Sequence, residues 1–156
     1  MEVEEDPNPP EGFEPLFRTS PFLETVGPFF HRRAVDGSFI IGLRVLPRHA
    51  NGRGVAHGGL LMTLLDVTLG YGAAFSETPP ANLMTANLTA DFAGGARIGD
   101  WVEAHVDVQR VGGRLAFANA YLVVNGERIV RGSAVFARGA APLGGAAAPQ
   151  RGAETV

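Results

Sequence analysis

The chain has 156 residues, 46% of them hydrophobic and 19% charged, with a net charge of −3; this is the make-up of one globular domain with a sizeable core, without the basic excess that holds a nucleic-acid backbone. It contains no cysteine, which excludes disulfides, thiolate nucleophiles and zinc–thiolate sites together. The acidic N-terminus lacks the pattern of a secretory signal and the apolar runs on either side of Asp66 are shorter than the roughly 18 to 20 residues that span a bilayer, so a cytoplasmic protein with no membrane segment is expected.

Both ends read as disordered tails: residues 1–13 are acidic and proline-rich, and residues 139–156 are Ala/Gly/Pro-rich and too poor in apolar side chains to order themselves. The folded domain is expected over 14–138. In chain order, "PLFRTSPFLETVG" places Leu16, Phe17, Phe22, Leu23 and Val26 at loosely helical spacing before Gly27-Pro28, which predicts a short helix. "FFHRRAV" and "SFIIGLRVL" then flank Asp36-Gly37, a dipeptide suited to a tight hairpin with φ > 0 at both central residues. From Gly58 to Phe75 runs "GGLLMTLLDVTLGYGAAF", a helix of roughly 27 Å that is apolar on nearly every face and therefore needs to be wrapped by the rest of the domain. Four segments of β character follow, "LMTANLTADF", "WVEAHVDVQR", "RLAFANAYLVV" and "ERIVRGSAVFAR", joined by short glycine-bearing connections as in a meander.

A hairpin, a long buried helix and an antiparallel meander make an α+β arrangement in which a curved sheet wraps one helix. On that order of elements, and on the motif Asn51-x-x-Gly54-x-x-His57-Gly58-Gly59 with Asp66 nine residues after the histidine, the stretch from about Ser20 to Arg138 resembles the hotdog-fold acyl-CoA thioesterases, particularly the phenylacetate-pathway type. One departure is "DFAGGARIGD", where Gly94-Gly95 replaces the proline often found in that turn of the family. The resemblance implies hydrolysis of an aromatic or medium-chain acyl-CoA to free acid and CoA, with no metal or redox cofactor.

The aspartate within the apolar helix carries the argument to residues. Its helix propensity costs only a few tenths of a kcal/mol, whereas an unpaired carboxylate in a dry core costs several, so Asp66 needs partners or water. Pairing with an arginine or with Thr63 would make it structural; facing a wet cleft would make it a general base or nucleophile toward the thioester. Gly58 and Gly59 stand where the long helix begins, and their N–H groups, lacking intrahelical partners, suit an oxyanion. By resemblance His57 and Asn51 position the thioester or the attacking water, and Thr85 matches a serine that holds the lytic water in relatives. In "LMTANLTADF", alternation puts Thr85 on the polar face with Asn87, Thr89 and Asp91. Phe22, Leu23, Phe29, Met62 and Leu65 are candidates to line an acyl tunnel, with Gly59, Met62 and Leu65 assigned to substrate binding.

Other chemistries find little support. His49 and His57 have no third ligand at zinc spacing, and Ser38, Ser76 and Ser133 lack the Gly-x-Ser-x-Gly elbow of a serine hydrolase. An acyl-CoA-binding hotdog module without catalysis, or a hotdog enoyl-CoA hydratase, are the alternatives; the first would need an effector-coupled domain, and the Asp–His order does not match the second. Gly58 and Asp66 lie about 12 Å apart along one helix, too far for one thioester carbonyl. The site is therefore expected between two subunits of a homodimer, packed with antiparallel helices about a twofold axis, and the resemblance implies a dimer of dimers.

Overall fold

The computed structural model describes residues 6–144. Seven strands form one antiparallel sheet: β1 (Glu14–Pro15), β2 (Phe30–Arg33), β3 (Phe39–Arg44), β4 (Leu83–Phe92), β5 (Trp101–Val111), β6 (Leu115–Val124) and β7 (Glu127–Arg138), in the spatial order β1-β2-β3-β5-β6-β7-β4. Two α-helices, α1 (Pro21–Val26) and α2 (Gly58–Ala74), accompany it. The sheet wraps α2, which is the hotdog arrangement expected. Among the described residues no helix is long and apolar enough to cross a membrane.

Close contact between α2 and the sheet comes from small side chains. The inner face of β6 carries Ala116, Ala118 and Ala120 before Leu122, all buried. A Cβ added at Gly72 would meet Val106 Cγ1 at 2.8 Å, and one added at Gly132 would meet Leu65 Cδ1 at 2.9 Å. Leu61, Leu64, Leu65 and Leu69 sink against this surface together with Ile41, Leu43, Val102 and Phe136, all nearly or completely buried. At roughly 1.5 to 3 kcal/mol per fully buried large apolar side chain, this layer is the main stabilising term.

Two local expectations change. Leu16 and Phe17 are not helical: β1 pairs Glu14 with His31 and Pro15 with Phe30, Leu16 N–H donates to the Phe29 carbonyl at 3.0 Å, and α1 starts only at Pro21, capped by Ser20 Oγ. A residue before proline is kept out of helical conformation, which sets that boundary. The hairpin at Asp36-Gly37 is a longer turn over residues 34–38, with φ > 0 at Gly37 alone; Asp36 Oδ1 takes the Ser38 N–H and hydroxyl instead. The tight two-residue turn with both φ positive is Asn125-Gly126, between β6 and β7.

Parts of both expected tails lie on the domain. Arg44 donates to the Asn8 carbonyl at 2.9 and 3.1 Å, and Phe13 packs edge-on against Trp101 at 4.9 Å. Trp101 itself occupies the space a Cβ at Gly42 would need, 2.6 Å away. Beyond β7, Gly139 N–H donates to the Asn82 carbonyl and Leu143 N–H to that of Pro80. The remainder of the two tails, 1–5 and 145–156, is outside the described residues.

Candidate active site

Because α2 is apolar almost all round, its burial rather than its sequence separates its two sides. Met62, Thr63, Asp66, Val67, Gly70 and Tyr71 form a half-buried stripe at i, i+4, i+8 spacing on the side toward α1 and the β4 edge of the sheet. This stripe lines a cleft of about 490 Å³, closed laterally by Leu23 of α1 and by Leu83, Thr85 and Leu88 of β4. Its wall is largely aliphatic, with Asp66 its only carboxylate.

Asp66 Oδ1 accepts a hydrogen bond from Thr85 Oγ1 at 2.7 Å. Thr63 is not its partner, since that hydroxyl donates to the Gly59 carbonyl at 2.9 Å, and among the described residues no arginine pairs with Asp66. Thr85 does not share a face with Asn87, Thr89 and Asp91 as alternation implied. The β4–β7 register shifts between Thr85, opposite Phe136, and Asn87, opposite Val135, leaving Ala86 as an extra residue. This bulge breaks the period of two. Thr85 consequently points to the helix side with Leu88, opposite Ala134, while Thr89 and Asp91 face outward to Ser133 and Arg131.

The other group of candidates surrounds the start of α2. His57 is the N-cap, its Nδ1 accepting the Gly59 N–H at 2.9 Å; in the neutral ring the proton is then on Nε2, on an exposed side chain. Gly59 thus gives its N–H to the cap, and Gly58 is left with a first-turn N–H that has no intrahelical acceptor. The space where a Gly58 Cβ would stand is 3.8 Å from the Phe92 ring. Asn51 closes the preceding turn, with Oδ1 accepting from Arg53 N–H at 2.9 Å and its main chain paired to Val55 and Gly54. Its side-chain NH₂ remains as a donor.

Buried His49 fixes this loop. Its Nδ1 accepts the Leu46 N–H at 3.0 Å, and its carbonyl accepts the His57 N–H at 2.9 Å. Burial, reinforced by the neighbouring Arg48 cation, holds the His49 imidazole below the ordinary histidine range, so it stays neutral and able to accept.

The residues read from sequence therefore fall into two groups on one chain, Asp66 with Thr85 and, about 12 Å back along α2, Gly58 with His57 and Asn51. Of the proposed tunnel residues, Phe22, Leu23 and Met62 line the cleft. Phe29 and Leu65 do not: both are core, Leu65 fully buried over Gly132. Sequence reasoning missed Tyr71, Ala81 and Leu143 as lining; Leu143 alone gave a signal, as the single large apolar residue of 139–155. Among the described residues no cluster of three metal-ligating side chains exists.

Comparison with known proteins bears on this arrangement. The family model "Thioesterase superfamily" matches residues 53–129, which include the start of α2, Asp66 and Thr85. A protein of Pseudomonas aeruginosa named "Putative esterase PA0474" is 52% identical over 123 residues, covering 79% of this chain and 91% of that protein. Among solved structures, the Bacillus halodurans protein BH2602, determined with CoA, superposes with a TM-score of 0.71 at 20% identity, over 80% of this chain and 82% of its own. A mutant of the phenylacetic acid degradation protein PaaI from Thermus thermophilus superposes with a TM-score of 0.64 at 24% identity, over 76% and 99%.

Proposed function

Given that the chain belongs to the thioesterase superfamily, and is thus a thioester hydrolase, we propose that it cleaves an acyl-CoA with an aromatic, phenylacetyl-like or medium-chain acyl group. The observation that carries this is the Thr85–Asp66 hydrogen bond at the side of an otherwise largely apolar cleft. Such a cleft holds an acyl group, and its one carboxylate stands beside the place where the carbonyl would lie.

In this reading Asp66 acts as general base. The Thr85 hydroxyl, donating a hydrogen bond to Oδ1, keeps lone pairs that accept from a water while the Asp66 carboxylate takes that water's other proton. The hydroxide so formed attacks the thioester carbon, the oxyanion sits on the Gly58 N–H at the positive end of α2, and collapse breaks the C–S bond as the proton passes from Asp66 to the CoA thiolate. His57 orders the first turn that presents Gly58.

The two halves meet only if a second copy supplies one of them. β4 is a sheet edge, paired with β7 alone among the described residues, and it exposes Met84 (61%) and Phe92 (49%). Antiparallel pairing of two β4 edges about a twofold axis would cover both and bring Gly58 of one copy toward Asp66 of the other, two equivalent sites per dimer. A dimer of dimers and a cytoplasmic location complete the proposal.

The test is the release of thiol from phenylacetyl-CoA and octanoyl-CoA by the wild type and Asp66→Asn. A fall in kcat of about 10² to 10⁴ with the fold intact is expected. Full activity in Asp66→Asn refutes the mechanism; tight acyl-CoA binding without turnover points to a binding module, and hydration of a 2-enoyl-CoA to a hydratase. Single-turnover labelling with oxygen-18 water separates base from nucleophile, since label entering the Asp66 carboxylate excludes a purely basic role.

A further inference from the structure

The far end of the cleft is built by a segment whose composition marks it as tail. After β7 the chain turns back over the end of α2. Gly139 passes so close to Asn82 that a Cβ would lie 2.9 Å from its Nδ2, and its N–H donates to the Asn82 carbonyl at 2.8 Å. Leu143 N–H donates to the Pro80 carbonyl at 3.0 Å, and Arg18 Nη1, from the segment before α1, donates to the Gly144 carbonyl at 3.0 Å. Residues 139–144 are thus tied to the fold at both ends. Their one large apolar side chain, Leu143, lines the cleft together with Ala74 and Ala81, and Ala81 N–H bonds the Ala74 carbonyl at 3.0 Å, which places this group at the C-terminal end of α2.

Between Asp66 and that end α2 presents Gly70 and then Ala74 to the cleft, flanked by Val67 and Tyr71, and the gap over the two small residues is where a linear chain can pass. We propose that the 139–144 strap is the end wall of the acyl pocket and that Leu143 sets the longest straight-chain acyl group accepted, an inference that rests on the acyl-CoA reading above. Asp66 and Ala74 are eight residues apart, about 12 Å along the axis. Carbon–carbon bonds of about 1.5 Å advance a zigzag chain ~1.25 Å per carbon, so a saturated acyl chain meets Leu143 after about eight to ten carbons. A phenylacetyl group reaches only about half as deep and does not touch it.

The experiment measures kcat/KM for the saturated series from butyryl- to palmitoyl-CoA, and for phenylacetyl-CoA, in wild type, Leu143→Ala, Leu143→Trp and Arg18→Ala. In the wild type each methylene should raise kcat/KM about four-fold, which is ~0.8 kcal/mol of burial per CH₂, until the chain meets Leu143, and longer esters should fall. Leu143→Ala should move the break longer by about two to four carbons and Leu143→Trp shorter by as much. Arg18→Ala, which unties the end of the strap, should flatten the break. A circular-dichroism spectrum and Tm at the wild-type level report that each variant is folded, and measurable phenylacetyl-CoA turnover that it is active. A break at the same chain length in both Leu143 variants, with phenylacetyl turnover intact, overturns the strap as ruler. A wild type inert toward every ester overturns instead the acyl-CoA reading on which the inference rests.

Discussion

Replacing Thr85 by valine keeps the side chain's shape and removes the hydroxyl that Asp66 depends on. The bond lost is 2.7 Å long and runs from a neutral hydroxyl to a carboxylate, the charge-assisted kind. Its net value is ~1.5 to 3 kcal/mol, which, expressed wholly in the transition state, is a loss of about 10- to 150-fold in kcat. Thr85 lies on an exposed edge strand, where water replaces part of the bond, so about 10- to 30-fold is expected for a single chain's geometry. Steady-state release of thiol, with kcat and KM separated, is the assay. KM should change little, Thr85→Ser should recover to within about three-fold of wild type, and Thr85→Val should add almost nothing to Asp66→Asn, because both remove one unit. Wild-type kcat in Thr85→Val, or full additivity with Asp66→Asn, would refute the assignment of the hydroxyl to the reacting water.

Mixing Asp66→Ala with Asn51→Ala under subunit exchange should recover as much as about half the activity per heterodimer, since one site then carries both lesions and the other neither; no recovery despite proven exchange, for instance by mass spectrometry of differently tagged copies, defeats the shared site. Gly42→Ala should push against Trp101 and the Val102 carbonyl, which stand 2.6 and 2.9 Å from the added Cβ, costing about 1 to 3 kcal/mol and lowering Tm by about 2 to 12 °C. The emission of Trp101, the only tryptophan, should shift with it, and unchanged emission and Tm would show that the wall yields freely. Burial holds both His31 and His49 below the ordinary histidine value of 6.5, so below that pH the unfolded chain binds protons the folded chain refuses. Stability should then be full above pH 6.5 and fall as the pH drops from it, by at most about 2.7 kcal/mol per pH unit for the two groups. Denaturant titrations at a series of pH values between 8 and 5 test this, and a flat profile below about 6.5 contradicts it.

What the sequence made legible and what it hid divide along physical lines. α2 and the four strands after it are long, strongly patterned segments joined by glycine-bearing turns, and they stand close to where the pattern puts them. Asp66 was visible because a charge in an apolar helix is expensive without a reason. Thr85 was visible as a residue but not as a direction, because the bulge at Ala86 is defined by the opposing strand β7 and has no mark within β4 itself. The choice between Met62 and Leu65 was hidden for the opposite reason: a helix apolar on every side carries no polar stripe to say which leucine meets the sheet. Leu16 and Phe17 fit a helical spacing, yet the pairing of β1 with β2 and the proline at 21 take them out of it. Leu143 was concealed by its neighbours, since low complexity predicts disorder for a segment as a whole, while three hydrogen bonds to particular partners are enough to hold this one.

An unpaired edge strand is a hazard, open in principle to any extended chain that drifts against it, and proteins commonly blunt such edges with lysine or proline. β4 has neither. The extra residue at Ala86 supplies the protection instead, dividing the edge into a block of three residues before it and six after it, Asn87–Phe92, whose hydrogen-bonding groups do not continue in one straight row. A regular foreign strand that zips along the second block loses step at the first. The irregularity that turns Thr85 toward Asp66 thereby also works as a lock against promiscuous aggregation, and smoothing it would endanger solubility as well as chemistry.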